Sequence, residues 1–140
     1  MIREIAHTAD LGIEIEAENR ATLFKEAGQW LSAKLVNIAE SEEKRNLTKK
    51  KVIIQESGLD VLFVCFLNEI LYFYEGERIL FVDFDIKKIE DNYLEVDAYG
   101  IDLSKEKKIN IQTEVKAATY HQVEVKKEGG IWKVKVFFDV

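Results

Sequence analysis

Residues 57–86 read SGLDVLFVCFLNEILYFYEGERILFVDFDI, and the spacing of the apolar residues changes inside this stretch. In its first half, apolar side chains recur every three or four residues, which is typical of a helix packed on a core. These residues are Leu59, Leu62, Phe63, Phe66, Ile70 and Phe73. We predict a helix that is capped by Ser57, carries Asp60 in its first turn and ends near Tyr74.

After Gly76 the apolar period falls to two, which is typical of half-buried β-strands. The Asp91-Asn92 dipeptide favours a tight turn between two such alternating runs. The alternating apolar residues are Val82, Phe84 and Ile86, followed by Leu94, Val96 and Ala98. The helix is therefore predicted to lead directly into an antiparallel pair of strands.

The rest of the chain extends this pattern of helices and antiparallel strands. We predict strands at 2–6, 12–16 and 51–56, a helix at 22–36 capped by Asn19, surface loops at 37–50 and 104–108, and a final hairpin that joins 114–126 to 131–139 across Gly129-Gly130. This order predicts an α+β fold, a two-layer sandwich of two helices on a largely antiparallel sheet. The 140 residues suit a single domain that spans 1–140.

Composition argues against several classes of protein. With 20 Lys and Arg against 26 Asp and Glu, the net charge is −6, so we expect no direct stable nucleic-acid binding, and a basic partner protein suits the surface better. Cys65 lies in an apolar helical stretch, which favours a buried hydrophobe over a nucleophile. Residues 1–9 lack the apolar region of a signal peptide, and no apolar run approaches the ~20 residues of a membrane span. We expect a cytoplasmic protein without a membrane segment; the oligomeric state is left open.

Strand parity in the final hairpin places Asp139 and Lys116 on one face. Trp132, Val134, Val136 and Phe138 share the parity that faces the helices. Pairing Val125 with Trp132 joins the two apolar faces and sets Asp139 opposite Ala118. Lys116 then lies diagonally across from Asp139, within reach of a long side chain.

Asp139 and the Val140 carboxylate form an anionic chain end, and a cation would stabilise further carboxylates near it. Carboxylates, carbonyls and water are the ligands of hard divalent ions such as calcium, magnesium and manganese. Asp10 interrupts the first strand pair, but nothing in its spacing brings it to this end of the chain. From the residues alone, a solvated acid in a turn and a frayed terminus are the favoured explanation of these acids.

Four motifs in order give the sequence a resemblance to a known family. They are HTADLG at 7–12, LNEIL at 67–71, EVKAATYH at 114–121 and VFFDV at 136–140. Together they resemble the archease family, and the resemblance covers essentially the whole chain. Members of this family activate the RtcB-type tRNA-splicing RNA ligase, a GTP- and metal-dependent enzyme. The resemblance implies a non-enzymatic protein cofactor that promotes guanylylation and multiple turnover of the ligase.

The resemblance also implies the site residues. A divalent metal, with calcium favoured and magnesium or manganese as alternatives, would be held by Asp10, Asp139 and the terminal carboxylate of Val140. Lys116 would be functional in activation of the ligase, and His7 beside the metal motif is a second candidate for that role. Archeases commonly carry a histidine in the loop before residue 114, where this chain has Glu106 and Lys107, so no role for that histidine is transferred.

Other interpretations of the same residues define the alternatives. His7 could fix its turn by a hydrogen bond, and the parity of His121 predicts a half-buried histidine. Asp83, Asp85 and Asp97 predict a solvated acidic face rather than a site. The rival functions are a metal-dependent hydrolase that uses the same carboxylates, and a chaperone-like modulator of an RNA-modifying enzyme.

Overall fold

The computed structural model describes residues 1–5, 10–37, 47–106 and 109–140. Within these ranges the helices are α1, Arg20–Leu35, and α2, Leu59–Tyr72, which continues as a π-helical turn at Phe73–Glu77. The strands are β1 Ile2–Ile5, β2 Asp10–Ala17, β3 Val36–Asn37, β4 Thr48–Gln55, β5 Ile79–Ile89, β6 Tyr93–Asp102, β7 Asn110–Ile111, β8 Ala117–Ala118, β9 Glu124–Glu128 and β10 Ile131–Asp139.

Every strand pairing in the described residues is antiparallel, which confirms the predicted α+β class. The strands are divided among separate sheets rather than joined in one. The largest has the order β1-β2-β10-β8, with β9 also paired to β10; β4-β6-β5 form a second sheet, and β3-β7 a small third one. Because β10 pairs with β2, β8 and β9, the last strand is the centre of its sheet.

A cluster of phenylalanine rings joins the helices to the second sheet. Phe24 of α1 packs edge-on against Phe63 of α2 at 5.0 Å between ring centroids, and Phe66 packs on Phe84 of β5 at 5.4 Å. These four side chains are almost fully buried, so the predicted helical stripe and strand alternation both point into the core. No helix in the described part of the chain is long and apolar enough to cross a membrane.

The helix starts differ in how they are capped. The Asn19 side chain accepts a hydrogen bond from Thr22 N at 2.8 Å, which confirms it as the cap of α1. The cap of α2 is Gly58, without a side-chain cap bond, so the prediction of Ser57 was wrong. Asp60 lies in the first turn as predicted, but its carboxylate accepts the N–H of Val125 on β9 at 2.6 Å.

The loop predicted at 37–50 was too long, because β4 already begins at Thr48. Three consecutive lysines hid the start of this strand, since charged residues mask the alternation on an exposed sheet face. The predicted loop at 104–108 begins instead as a 3₁₀ turn, Leu103–Lys105. Residues 38–46, and with them the middle of the predicted 37–50 loop, lie outside the described residues.

Candidate metal and partner site

The register of β2 and β10 sets Asp10 directly opposite Asp139. The two strands pair over eight residues, from Ala17 with Trp132 to Asp10 with Asp139. Leu11 and Phe138 in the preceding row pack on the core, so the two aspartates point to the opposite, outer face. The structure therefore brings together two carboxylates that the spacing of the sequence did not connect.

This carboxylate pair differs from the other outward-facing rows of the same two strands. Glu16 lies opposite Lys133 and Glu14 opposite Lys135, so these rows combine opposite charges. Like charges directly opposite each other destabilise a strand pair. The Asp10–Asp139 row instead places two acidic residues opposite each other.

A buried aromatic ring separates the carboxylate pair from the charged rows. Gly12 lies opposite Phe137, and a Cβ added at Gly12 would be 2.6 Å from the Phe137 ring. Ile5 lies on the other side of Gly12, and Phe137 is only 4% exposed although it belongs to the outer face. The glycine is needed because the ring occupies the space of its missing side chain.

Lys116 lies beside Asp139 on the other edge of β10. The Lys116 N–H donates to the backbone carbonyl of Asp139 at 2.8 Å, and the Lys116 side chain is exposed whereas Val115 is buried. The residue opposite Asp139 is Ala117 rather than the predicted Ala118. Lys116 is thus adjacent to Asp139 through the backbone, but the predicted parity was wrong, because Ala118 lies opposite Phe138 on the core face instead of opposite Asp139.

The predicted hairpin register was wrong because of two local features. Gly129 and Gly130 have φ angles of 60° and 80° and form a two-residue turn, so Val125 pairs with Val134 instead of Trp132. The partner strand is then interrupted at 119–123, where Gln122 has a φ of 55°. Between the pairs 134–125 and 138–118, β10 advances by four residues whereas its partner chain spans seven. The extra residues of the partner chain form the turn.

The predictions for the two histidines can be compared with the structure for His121 but not for His7. His121 is exposed, with its ring 6.0 Å from that of Phe137, so the predicted half-buried position was wrong. The interruption at 119–123 explains this result, because parity no longer applies beyond a break in a strand. His7 lies outside the described residues, and its predicted role stays a prediction.

The acidic residues on β5 and β6 form ion pairs. Lys87 lies 2.6 Å from Asp85, and its hydrogen bond lowers the pKa of that carboxyl below its usual value. Asp97 is 7% exposed and lies 3.5 Å from Lys49, so it is a paired buried acid rather than part of the predicted solvated face. Lysines therefore pair with Asp85 and Asp97 on this sheet.

Cys65 of α2 contacts the interrupted edge. Its sulfur is 3.5 Å from the Tyr120 hydroxyl, and burial raises the pKa of the thiol. The hydrogen bond to Cys65, together with burial, raises the pKa of Tyr120 to about 12. A half-buried thiol with a raised pKa is a poor nucleophile at neutral pH, in agreement with the predicted structural role.

The donor set of the carboxylate pair suits a hard divalent ion. Two aspartate side chains, with the main-chain carboxylate of Val140 one residue further, offer only oxygen donors. Val140 is 47% exposed, so this end of the sheet is accessible. Within the described ranges no group of three or more His, Cys, Asp and Glu side chains is arranged to hold a metal ion. Asp10 and Asp139 therefore offer two carboxylates at this end of the sheet, and the terminal carboxylate of Val140 is the predicted third donor.

Asn68 is a structural contact of this site that was not predicted from the sequence. Its side-chain amide makes two hydrogen bonds to the backbone of Ala118, next to the residue opposite Asp139. The sequence does contain a signal for this contact, because Asn68 is a polar amide in the otherwise apolar run 61–68 of α2. Such a residue in a helix that faces the core needs a hydrogen-bonding partner.

Fold and site together define a class: a small antiparallel α+β protein that presents paired carboxylates and a lysine at an exposed end of a sheet. Comparison with known proteins then gives the family. The Archease protein family matches residues 3–140, and the chain belongs to that family.

Individual relatives agree with this assignment. Protein archease of Pyrococcus abyssi is 33% identical over 138 residues, covering 96% of this chain and 94% of the relative. The crystal structure of an archease, described as a possible chaperone, from Thermotoga maritima has a TM-score of 0.66 at 27% identity, with 99% and 96% of the chains covered. The solution structure of protein 1598 of Methanobacterium thermoautotrophicum has a TM-score of 0.76 at 23% identity, with 99% and 98% covered, and supports the fold alone.

Proposed function

We propose that this protein is a non-catalytic cofactor that activates an RtcB-type tRNA-splicing RNA ligase in the cytoplasm, by promoting its guanylylation and multiple turnover. Membership of the archease family supports the class of function. The observation that carries the proposal is the Asp10–Asp139 row, in which two acidic residues lie directly opposite each other, with Lys116 beside it at an accessible end of the sheet. Exposed, converging charges suit transient contact with a macromolecular partner.

Asp10, Asp139 and the carboxylate of Val140 would hold the divalent ion, with calcium favoured and magnesium or manganese as alternatives. Bound there, the ion supplies positive charge that offsets the repulsion between the carboxylates. The chain's own contribution is to fix these groups and the Lys116 ammonium on one surface. They act on the ligase by orienting one of its side chains, by delivering or repositioning a metal, or by favouring a closed state.

The direct test measures ligation by the cognate ligase, with GTP and metal, at substoichiometric amounts of this protein. We expect many turnovers with the native protein and a strong loss with Asp139→Asn or Lys116→Ala. Matched controls are Asp91→Asn, which removes one negative charge from an exposed turn, and Lys127→Ala, which removes a lysine from β9. Both controls should activate normally. No gain in guanylylated ligase or ligated RNA with the native protein would refute the proposal.

A chaperone-like interaction module is the second candidate, favoured by the description of the Thermotoga maritima relative as a possible chaperone. Affinity capture separates the two functions. Recovery of many unrelated proteins, unchanged by Asp10→Ala, would support the chaperone role. Hydrolysis of RNA or nucleotides by the isolated protein, lost in Asp139→Ala, would instead support the hydrolase.

A further inference from the structure

The side chain of Asn68 binds the backbone of Ala118 in the way a neighbouring strand would. Asn68 Nδ2 donates to the Ala118 carbonyl at 3.1 Å, and the Ala118 N–H donates to Asn68 Oδ1 at 2.8 Å. An N–H needs an acceptor and a carbonyl needs a donor, so these contacts determine the orientation of the amide. Among polar side chains of this length, asparagine uniquely provides one carbonyl and one NH₂ group in this geometry.

This contact holds the segment that carries Lys116 from the side opposite to β10. On the β10 side, Lys116 N–H donates to the Asp139 carbonyl at 2.8 Å, and Thr119 N–H donates to the Phe137 carbonyl at 2.9 Å. β8 itself comprises only Ala117–Ala118, and the turn at 119–123 follows. A strand of two residues is weakly held by its hydrogen bonds to β10 alone. Asn68 of α2 binds the backbone of this strand on the side that faces away from β10.

The pairing of Asp10 with Asp139 does not include this contact, although the Asp139 carbonyl also accepts the Lys116 N–H. Asp10 and Asp139 are the last row of the eight-residue β2–β10 pairing, which does not involve α2 or β8. Loosening β8 would displace Lys116 relative to Asp139 while the two aspartates keep their register. The lysine and the carboxylates are thus positioned by different parts of the fold.

We propose that Asn68 is the positioning residue for Lys116: through Ala118 it fixes the lysine beside the carboxylate pair, without a part in holding the metal. This inference rests on the proposed function, in which Lys116 acts on the ligase. A purely structural role for Asn68 is the competing explanation, because losing two backbone hydrogen bonds also lowers stability.

The matched control comes from the same helix and the same sheet edge. Asp60 accepts the N–H of Val125 on β9 at 2.6 Å, beyond the turn and away from Lys116. Asp60→Ala therefore removes a comparable helix-to-strand hydrogen bond, and is expected to lower stability without moving the lysine. Asn68→Ala and Asp60→Ala should be compared at a temperature where both are folded.

For Asn68→Ala we expect ligase activation to fall roughly tenfold or more, since small misplacements of a functional group cost factors of this size. Calcium affinity of the isolated protein, measured by titration calorimetry, should stay within about twofold of native. Asp60→Ala should activate normally. In a Lys116→Ala background, Asn68→Ala should cause no further loss, because the two residues act as one unit.

Amide hydrogen exchange of the isolated protein tests the positioning without the ligase. In Asn68→Ala, the amides of Lys116 and Thr119 should exchange faster, while those of Val136 and Phe138 on β10 stay protected. If the native protein fails to activate the ligase, the proposed function fails, and exchange alone then decides whether Asn68 holds the lysine. Native activation by Asn68→Ala, an equal loss in the Lys116→Ala background, or a parallel loss of calcium affinity would each overturn the inference.

Discussion

The two sides of β10 hold their functional groups in different ways. On one side, β2 pairs with β10 in an unbroken register of eight residues that ends in the carboxylate pair. On the other, β8 and β9 are short and separated by a turn, and side chains of α2 complete their edge. The carboxylates therefore belong to the last row of the longest strand pairing in this sheet, whereas the lysine depends on a helix outside the sheet.

The largest expected effect comes from a substitution in β10, the strand to which both sides are paired. Phe138 is fully buried on the core face of β10, with its ring 5.6 Å from that of Trp30. Phe138→Ala should lower the free energy of unfolding by about 3–5 kcal/mol, as for other large core truncations, in urea titrations followed by circular dichroism. Tyr72→Ala, at a 60% exposed aromatic, should cost far less. A small effect of Phe138→Ala would mean that β10 is not the common support.

The next prediction concerns the carboxylate pair alone. The effect of Asp139→Asn on stability should be opposite in sign without and with calcium. Without calcium, Asp139→Asn should raise the free energy of unfolding by about 0.2–1 kcal/mol, because it relieves a like-charge pair. With calcium at about 100 times its Kd, the native protein should gain about 2.7 kcal/mol and the variant little. Thermal denaturation in chelator and in calcium measures both. Equal shifts for both proteins in calcium would contradict a metal site at Asp139.

Gly12→Ala tests whether the Phe137 ring is part of the carboxylate side. The added Cβ would lie 2.6 Å from the ring, so the ring or β2 must shift, and we expect a loss of about 1–3 kcal/mol. Gly76→Ala is the control, because its Cβ would be 3.8 Å from the nearest side chain, Tyr72. Urea unfolding of both variants provides the comparison. If the two glycine variants are equally stable, the ring is free to move.

The smallest expected effect is the alkylation rate of Cys65, which tests how firmly α2 packs against β8 and the turn that follows it. Since burial raises the pKa of the Cys65 thiol, less thiolate is present at pH 8 than for an ordinary cysteine, and its fraction rises as pH increases through the raised value. Alkylation of the folded protein at pH 8 should therefore be several-fold slower than in denaturant, by mass spectrometry. Cys65→Ser gives the background. Rapid alkylation of the folded protein would show that this edge opens readily.

Local patterns predicted much of this fold. The Asn19 cap, the apolar stripe of α2 and the core parity of Val134, Val136 and Phe138 all depend on residues close together in the chain. Such patterns reflect backbone hydrogen bonding and burial within a few residues, so they can be found without knowing the fold.

The arrangement of the site was less accessible to sequence reasoning. Asp10 and Asp139 meet through a pairing between opposite ends of the chain, for which no local signal exists; only the family resemblance connected them. The turn at 119–123 could not be anticipated because Gln122, unlike glycine, rarely adopts a positive φ. The register of β9 with β10, in contrast, could have been predicted. The Gly129-Gly130 pair is typical of a two-residue hairpin turn, and such a turn gives the observed register.

The central place of β10 has a consequence for synthesis of the protein. Of the strands in this sheet, β10 is the last to leave the ribosome, yet β2, β8 and β9 all pair with it. While translation proceeds, β2 can pair with β1, which is made before it, but Asp10 has no Asp139 opposite it. A nascent chain therefore has only the Asp10 half of the candidate site, and the two aspartates meet only when the final strand joins the sheet.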